Sequence, residues 1–529
     1  MNPFTKTLNP FTKTLFAAAC AFLTGCSGTG DGIAPPLDRV YFPVALALDP
    51  AGQHLFVANS DFDLQFNGGT LQSLDTTRIL SFMPAYCPPG TDCRGRCGAL
   101  GDASAADQIL VPGPCAPVVI GSPQGGGGSL LADAIKIGAF ATDLLYLTRP
   151  TNESAGAAGR IFLPLRGSAS VAFVDADEDG GLRCDVDGQR QCDAAFSVKR
   201  GVDHLGRTIE LPKEPMGLAA TLDGHALLGI HQQSEGAQLS VFDHDWSGGL
   251  TLRSLGSLAP TTFGGIFRPS AIALVPPSRA QASRSPAFLL TARTSPEVRL
   301  IKFLDAEASA PEPPQAREVG SVGVNANAFG SDSRGIALDS SERGAAEANC
   351  AATHSVSPEC ALSGQCEEAK AGAYLQCLSA AGRIADAVFV ANRTPASLLV
   401  GDIQQLGTGE AGLPLPAFKQ TIPLSFGPSR VVLGRILNEQ GKLELRVFVL
   451  CFDSRLIFVY DPVRGQLETE IRTGRGPHAL VVDEQRHVAY VAHFTDSYIG
   501  VIDLDRSHTG DYAKIVLSVG HPSAPRATK

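Results

Sequence analysis

Short apolar runs separated by polar turns fill the chain after residue 40, and they recur at a fixed interval. In the last copy Tyr490, Val491 and Ala492 open an apolar run, a polar loop follows, and a second run ends in Asp503, thirteen residues after Tyr490. The same interval separates Phe162 from Asp175, Phe389 from Asp402 and Phe448 from Asp461. A second pattern marks where each unit begins. Pro477 lies six residues before Asp483 and thirteen before Tyr490, and Pro43 stands in the same relation to Asp49 and Phe56. Pro215 keeps the thirteen-residue interval to Leu228. Proline ends an incoming loop, the apolar run makes a buried strand, and Asp with a nearby Gly makes a hairpin turn. A fixed period in an all-strand sequence predicts a propeller or solenoid, in which each repeat buries its face against the next.

These anchors define seven units, at 43–75, 162–175, 215–243, 269–302, 335–402, 428–461 and 477–503, with Lys302 in place of the closing Asp in the fourth. The expected fold class is all-β, a seven-bladed propeller over residues 39–520 with a short tail at 521–529. The segment containing Gly476, Pro477 and His478, then Tyr490, Val491 and Ala492, then Val501, Ile502 and Asp503 resembles the YVTN β-propeller repeat of bacterial and archaeal surface proteins. Phe56 to Asn59 and Phe389 to Asn392 are the next best matches. The resemblance implies a seven-bladed ring in an exported protein and carries little about activity, because this fold hosts binding proteins, assembly factors and enzymes alike. Two strands compete to complete the ring: Lys514–Val519 as the outer strand of the last blade, and 39–42 as a closing strand from the front of the chain.

The N-terminus reads as an address. Lys6 and Lys13 precede a short apolar run from Leu15 to Leu23, which is too short to span a bilayer as a lone helix. Leu23, Thr24, Gly25 and Cys26 resemble a bacterial lipobox. The resemblance implies that 1–25 is removed as a signal peptide and that Cys26 receives diacylglycerol and a further acyl chain such as palmitate. Ser27 in place of Asp implies the outer rather than the inner membrane. Residues 26–38, rich in Gly and Pro, read as a tether. Formal net charge is −10, and loss of the two leader lysines makes it −12. With no dense Lys/Arg run, neither nucleic acid nor an anionic membrane surface is expected as a partner. The expected membrane link is the lipid anchor.

Three insertions interrupt the repeat, at about 81–133, 176–212 and 341–384. Ten cysteines fall in even local groups: Cys87, Cys93, Cys97 and Cys115; Cys184 and Cys192; Cys350, Cys360, Cys366 and Cys377. In an exported chain these read as disulfides, with three possible connectivities in each group of four. No pair has the CxxC spacing of a zinc site. Cys451, within an apolar strand, is expected as a buried free thiol.

The second insertion carries the sharpest chemical signal, the carboxylates Asp175, Asp177, Asp179, Asp185 and Asp187. Alternating carboxylates before a Gly turn are calcium chemistry. The first six residues match the start of an EF-hand loop, but the twelfth position is Val186 and supplies no bidentate carboxylate. The continuation looks like one degenerate copy of a thrombospondin type 3 repeat, and a solvated acidic turn is the competing reading. His231 and His493 align with Asn59 and Asn392 after the second strand, beside Arg393, and read as loop residues. No GxSxG, HExxH or CxxCH motif is present. Gly407, Gly409 and Gly412 match GxGxxG but precede a Leu-Pro linker rather than a helix. No catalytic residue or cofactor other than calcium is therefore assigned. The function expected first is a membrane-anchored module binding an envelope protein or glycan. The alternatives are an exported metal-dependent, lactonase-like hydrolase and a structural surface-layer protein.

Overall fold

The computed structural model describes residues 32–522 apart from 105–111, 122–128, 151–156, 186–187, 234–235, 262–264, 280–285, 305–313, 325–331, 355–367, 404–414 and 439. Residues 1–31 with Cys26, Asp187, Cys360 and Cys366, and most of the C-terminal tail lie outside the described residues.

Seven antiparallel sheets of four or five strands follow one another along the chain, each made from consecutive strands, with one two-stranded ribbon between the second and third. In blade one these are Pro43–Leu48, His54–Asn59, Gly69–Asp75 and Leu131–Ile137. In blade seven they are Pro477–Asp483, Val488–His493, Tyr498–Asp503 and Lys514–Val519. This is the expected seven-bladed propeller. Its recurring aromatics explain why it closes. Phe56, Phe162, Phe288, Phe389, Phe448 and Tyr490, all on second strands, are at most 1% exposed. They pack between neighbouring blades; Phe56, for example, stacks on Tyr146 of blade two at 5.4 Å. Burial of each such side chain contributes about 1.5–3 kcal/mol.

The closing Asp residues anchor turns and ion pairs. Asp461 lies 3.1 Å from the buried Arg446 guanidinium, and Asp75 caps the short helix Thr76–Ser81 by accepting from Arg78 N.

Lys514–Val519 pairs with Tyr498–Asp503, so it is the outer strand of blade seven. Residues 39–42 are not a strand. The ring therefore closes without strand exchange, and the first insertion does the joining. Val118 N donates to Ser518 O at 2.8 Å and Gly520 N donates to Val118 O at 2.8 Å, which lays the insertion along the outer edge of blade seven. Arg96 meets Asp511 at 2.6 Å, and Tyr86 stacks on His508 at 4.6 Å. The sequence groups of cysteines resolve into Cys87–Cys93, Cys97–Cys115, Cys184–Cys192 and Cys350–Cys377. Cys451 is a buried free thiol, as its strand context predicts.

Strand direction sorts the loops. Every first strand starts at one face of the ring, so links between first and second strands and between third and fourth strands lie on the opposite face. The first and third insertions occupy such links, and the second starts in one and runs on to the link with blade three. The first follows Gly69–Asp75, the second interrupts the outer edge of blade two, and the third, with helices Ser341–His354 and Glu368–Ala381, joins Ser333–Asp339 to Asp386–Arg393. The other face, here called the mouth face, carries the links between second and third strands and from each blade to the next, and the link from blade two to blade three holds a hairpin of Arg200–Val202 with Thr208–Glu210. Among the described residues no helix is long and apolar enough to cross a membrane.

Candidate functional site

The mouth of the central channel is built from one repeated backbone irregularity. In blade one Pro43 pairs with Asn59 but Ala45 pairs with Ala58, so Val44 is the extra residue of a β-bulge. The same bulge falls at Met216, Ser270, Arg334, Ser429 and His478 in blades three to seven. In blade two an isolated bridge between Ala141 and Leu165 gives Thr142 the equivalent place. A bulge re-aims the side chain it carries, and all seven of these residues line a cavity of about 310 Å³ at the mouth. The residue just before this stretch adopts a left-handed conformation in five blades: Phe42 (φ 48), Phe140 (φ 56), Glu214 (φ 55), Gly427 (φ 78) and Gly476 (φ 68). Glycine takes this conformation freely, but bulky residues do so at a cost of about 1–2 kcal/mol. The strain at Phe42 and Phe140 is held where Phe140 lines the cavity and Phe42 packs 5.0 Å from Phe494.

Hydrogen bonds tie neighbouring bulges together around the rim. Thr142 Oγ1 donates to Pro215 O at 3.0 Å, Ser270 Oγ to Ser333 O, and His478 Nδ1 bonds Val44 O at 2.8 Å. Gly335 permits the closest approach of two inner strands: a Cβ there would stand 2.8 Å from Arg430 Cα and from Val431 N.

The charge of the mouth is uneven. Arg430 meets Asp143 at 3.1 Å, Arg166 meets Glu214 at 3.1 Å, and Arg334 holds Asp332 through two hydrogen bonds. Arg393, on the same face, pairs with Asp453. Arg293 lines the same cavity, and among the described residues no carboxylate forms an ion pair with it. Its surface is open to the mouth, but the surrounding walls desolvate the guanidinium and lower its pKa. The like charges of Arg334, Arg166 and Arg393 push the same way, against Asp332. Burial, reinforced by Arg430, lowers the pKa of His478 to about 4, so this imidazole is neutral at physiological pH.

The residues singled out from sequence lie elsewhere. Asp175 closes a third strand on the far face and accepts two hydrogen bonds from the buried Arg160 guanidinium, at 2.6 and 3.3 Å. Asp177 pairs with Arg183 at 2.7 Å, and burial, opposed by Arg183, raises its pKa. Asp179 accepts from Gly181 N at 3.1 Å and Asp185 from Arg190 N at 2.8 Å. The disulfide Cys184–Cys192 staples this loop. Among the described residues no group of three His, Cys, Asp or Glu side chains is placed to hold a metal ion.

His231 and His493 are not loop residues: both are fully buried and end their second strands, paired with Pro215 and Pro477. His231 Nε2 bonds Ser240 Oγ at 2.9 Å, and His493 stacks on Tyr498 with centroids 4.0 Å apart. The arginines of the mouth escaped sequence reading, apart from Arg393, because they sit one per blade.

No protein-family model matches the chain, and no curated protein does. Solved structures match its fold at low identity. A protein from Lactobacillus plantarum shares 12% identity, with 83% of this chain and 86% of that chain covered and a TM-score of 0.44. A putative 6-phosphogluconolactonase from Bacteroides uniformis shares 12% identity over 82% of this chain and 86% of its own, with a TM-score of 0.42. A periplasmic gluconolactonase of Pseudomonas aeruginosa shares 15% over 72% and 83%, with a TM-score of 0.40. Likeness at this level carries no argument about activity.

Proposed function

We propose that this chain is a lipid-anchored binding module of a bacterial envelope, and that the mouth of its channel receives an anionic group of an envelope glycan or protein. The observation that carries this reading is Arg293, the one guanidinium among five around the mouth with no carboxylate partner among the described residues. A guanidinium that faces the open mouth without a carboxylate partner is free to take an incoming anion, which makes short, charge-assisted hydrogen bonds to it. The neighbouring ion pairs fix the walls without neutralising it.

The anchor fits this arrangement. Gly32 lies against Asn67, in the second-to-third strand link of blade one on the mouth face. It stands six positions after Cys26, a reach of about 20 Å when extended. Lipid on Cys26 would hold the mouth face toward the bilayer and present the stapled first and third insertions away from it.

Calorimetric titration of the mature protein with gluconate and with inorganic phosphate tests the mouth. Wild type binds both, and Arg293→Gln binds each at least tenfold more weakly, the size of one lost charged hydrogen bond. Equal affinity in the two proteins sinks this reading, and turnover of a gluconolactone by wild type would replace binding with catalysis. Fatty-acid labelling that Cys26→Ser abolishes is the matching check on the anchor.

A further inference from the structure

The cavity has two chemically different walls. On the side of blades one and seven stand Phe62, Phe140 and Phe494, with Phe62 at 5.2 Å from Phe494 and 5.9 Å from Phe140. Phe62 is 52% exposed although apolar packing surrounds it. Blade four, across the ring, supplies Arg293, flanked by Arg334 of blade five. Between the walls the bulge positions Thr142, Ser270 and Ser429 carry hydroxyls. Each hydroxyl already donates to a backbone carbonyl, to Pro215, Ser333 and Leu450 respectively. Their remaining capacity is as acceptors, part of which Ser270 already gives to Thr291 Oγ1 at 3.1 Å.

From this geometry we infer that the ligand is a ring-bearing carboxylate of the sugar-acid type, such as a terminal uronic acid of a glycan. Its carboxylate meets Arg293, its ring lies on Phe62, and its hydroxyls donate to the serine and threonine oxygens between them. Each wall selects a different part of the ligand. A planar guanidinium matches a carboxylate in two parallel hydrogen bonds. An exposed aromatic face matches the C–H face of a pyranose, and a polar, acceptor-rich floor matches hydroxyls rather than a plain aromatic acid. The volume of about 310 Å³ suits one such ring, and the open mouth lets a longer chain run outward. This inference rests on the anion-binding reading of the mouth and specifies its ligand.

Calorimetry on the full mature chain with four probes separates the two: a uronic acid oligosaccharide, its neutral counterpart, benzoate and inorganic phosphate. The expected order places the uronate first, with the neutral sugar at least tenfold weaker. Phe62→Ala weakens the uronate about tenfold, the size of a lost aromatic contact, and leaves phosphate unchanged. Phe62→Trp restores the uronate, which shows that the ring and not the fold is at issue. Arg293→Gln weakens uronate and phosphate together. If phosphate binds but the uronate is no tighter, or benzoate binds best, or Phe62→Ala changes nothing, the sugar-acid ligand is wrong and the anion site stands. If no anion binds wild type, both fall.

Discussion

Single residues at the mouth show how one backbone position serves two ends. In the five blades with a left-handed residue before the inner strand, that residue is glycine where neighbouring atoms crowd it. A Cβ on Gly476 would stand 2.4 Å from Thr495 Oγ1 and 3.0 Å from Thr495 N. At Phe42, Phe140 and Glu214 a side chain is kept at the cost of strain, and the two phenylalanines spend it on the aromatic wall. Gly441 is a control, since it has φ 73 in a far-face hairpin and a Cβ added to it would meet nothing within 4 Å. Gly476→Ala should therefore cost about 1–2 kcal/mol more than Gly441→Ala, which bears the conformational penalty alone. Urea denaturation of the two variants measures the difference. Equal losses would mean that the rim tolerates displacement and that the strain at Phe140 is incidental to the site.

At the scale of elements, the aromatic-to-Asp interval was legible because each copy repeats one buried second strand and one turn. All the aromatics it marks are buried between blades. The outer strands were less legible. Gln315–Gly323 and Pro416–Pro423 are largely half-buried or exposed, so little apolar period marks them. The latch that the first insertion forms on blade seven was not legible at all. It joins residues near 96 and 118 to residues near 511 and 519, and no local pattern encodes a contact across the seam of a ring. The mouth was hidden for the same reason: its arginines come from four blades and meet only after closure. The latch makes a definite claim about stability. Arg96 and Asp511 are both largely buried at 2.6 Å, and removing one partner strands the other charge. Arg96→Ala should cost about 3 kcal/mol and should open blade seven first, seen as early proteolytic cleavage between the blade-seven strands. Cleavage spread evenly over the ring would show that the seam is closed by blade packing alone.

The whole molecule responds to pH through imidazoles buried in its ring. Burial lowers the pKa of His231 to about 4 and that of His493 to about 3, and burial with Arg430 lowers His478 to about 4. In the unfolded chain each histidine titrates near 6.5. Below that value the unfolded state takes up protons that the folded state refuses, so stability is complete above about pH 6.5 and falls as pH drops toward 4. At pH 5 each histidine has cost about 2 kcal/mol. Asp61 works in the opposite sense: burial raises its carboxyl to about 6, so it recovers about 1.4 kcal/mol between pH 6 and 5. Together these four groups lose roughly 5 kcal/mol from pH 7 to pH 5, with the lowered His244 adding to the loss and the raised Asp177 and Asp503 opposing it. Asn59 and Asn392 hold the position equivalent to His493 and satisfy it with uncharged amides, Asn59 donating to Thr70 Oγ1 at 2.9 Å and Asn392 to Pro395 O at 2.9 Å. His493→Asn should therefore remove about 2 kcal/mol of the pH dependence while keeping the fold. Denaturation of both proteins at pH 7 and pH 5 gives the comparison. If the variant loses as much stability as wild type on acidification, the acid sensitivity lies in the carboxylate pairs of the blades instead of the imidazoles at the ends of their second strands.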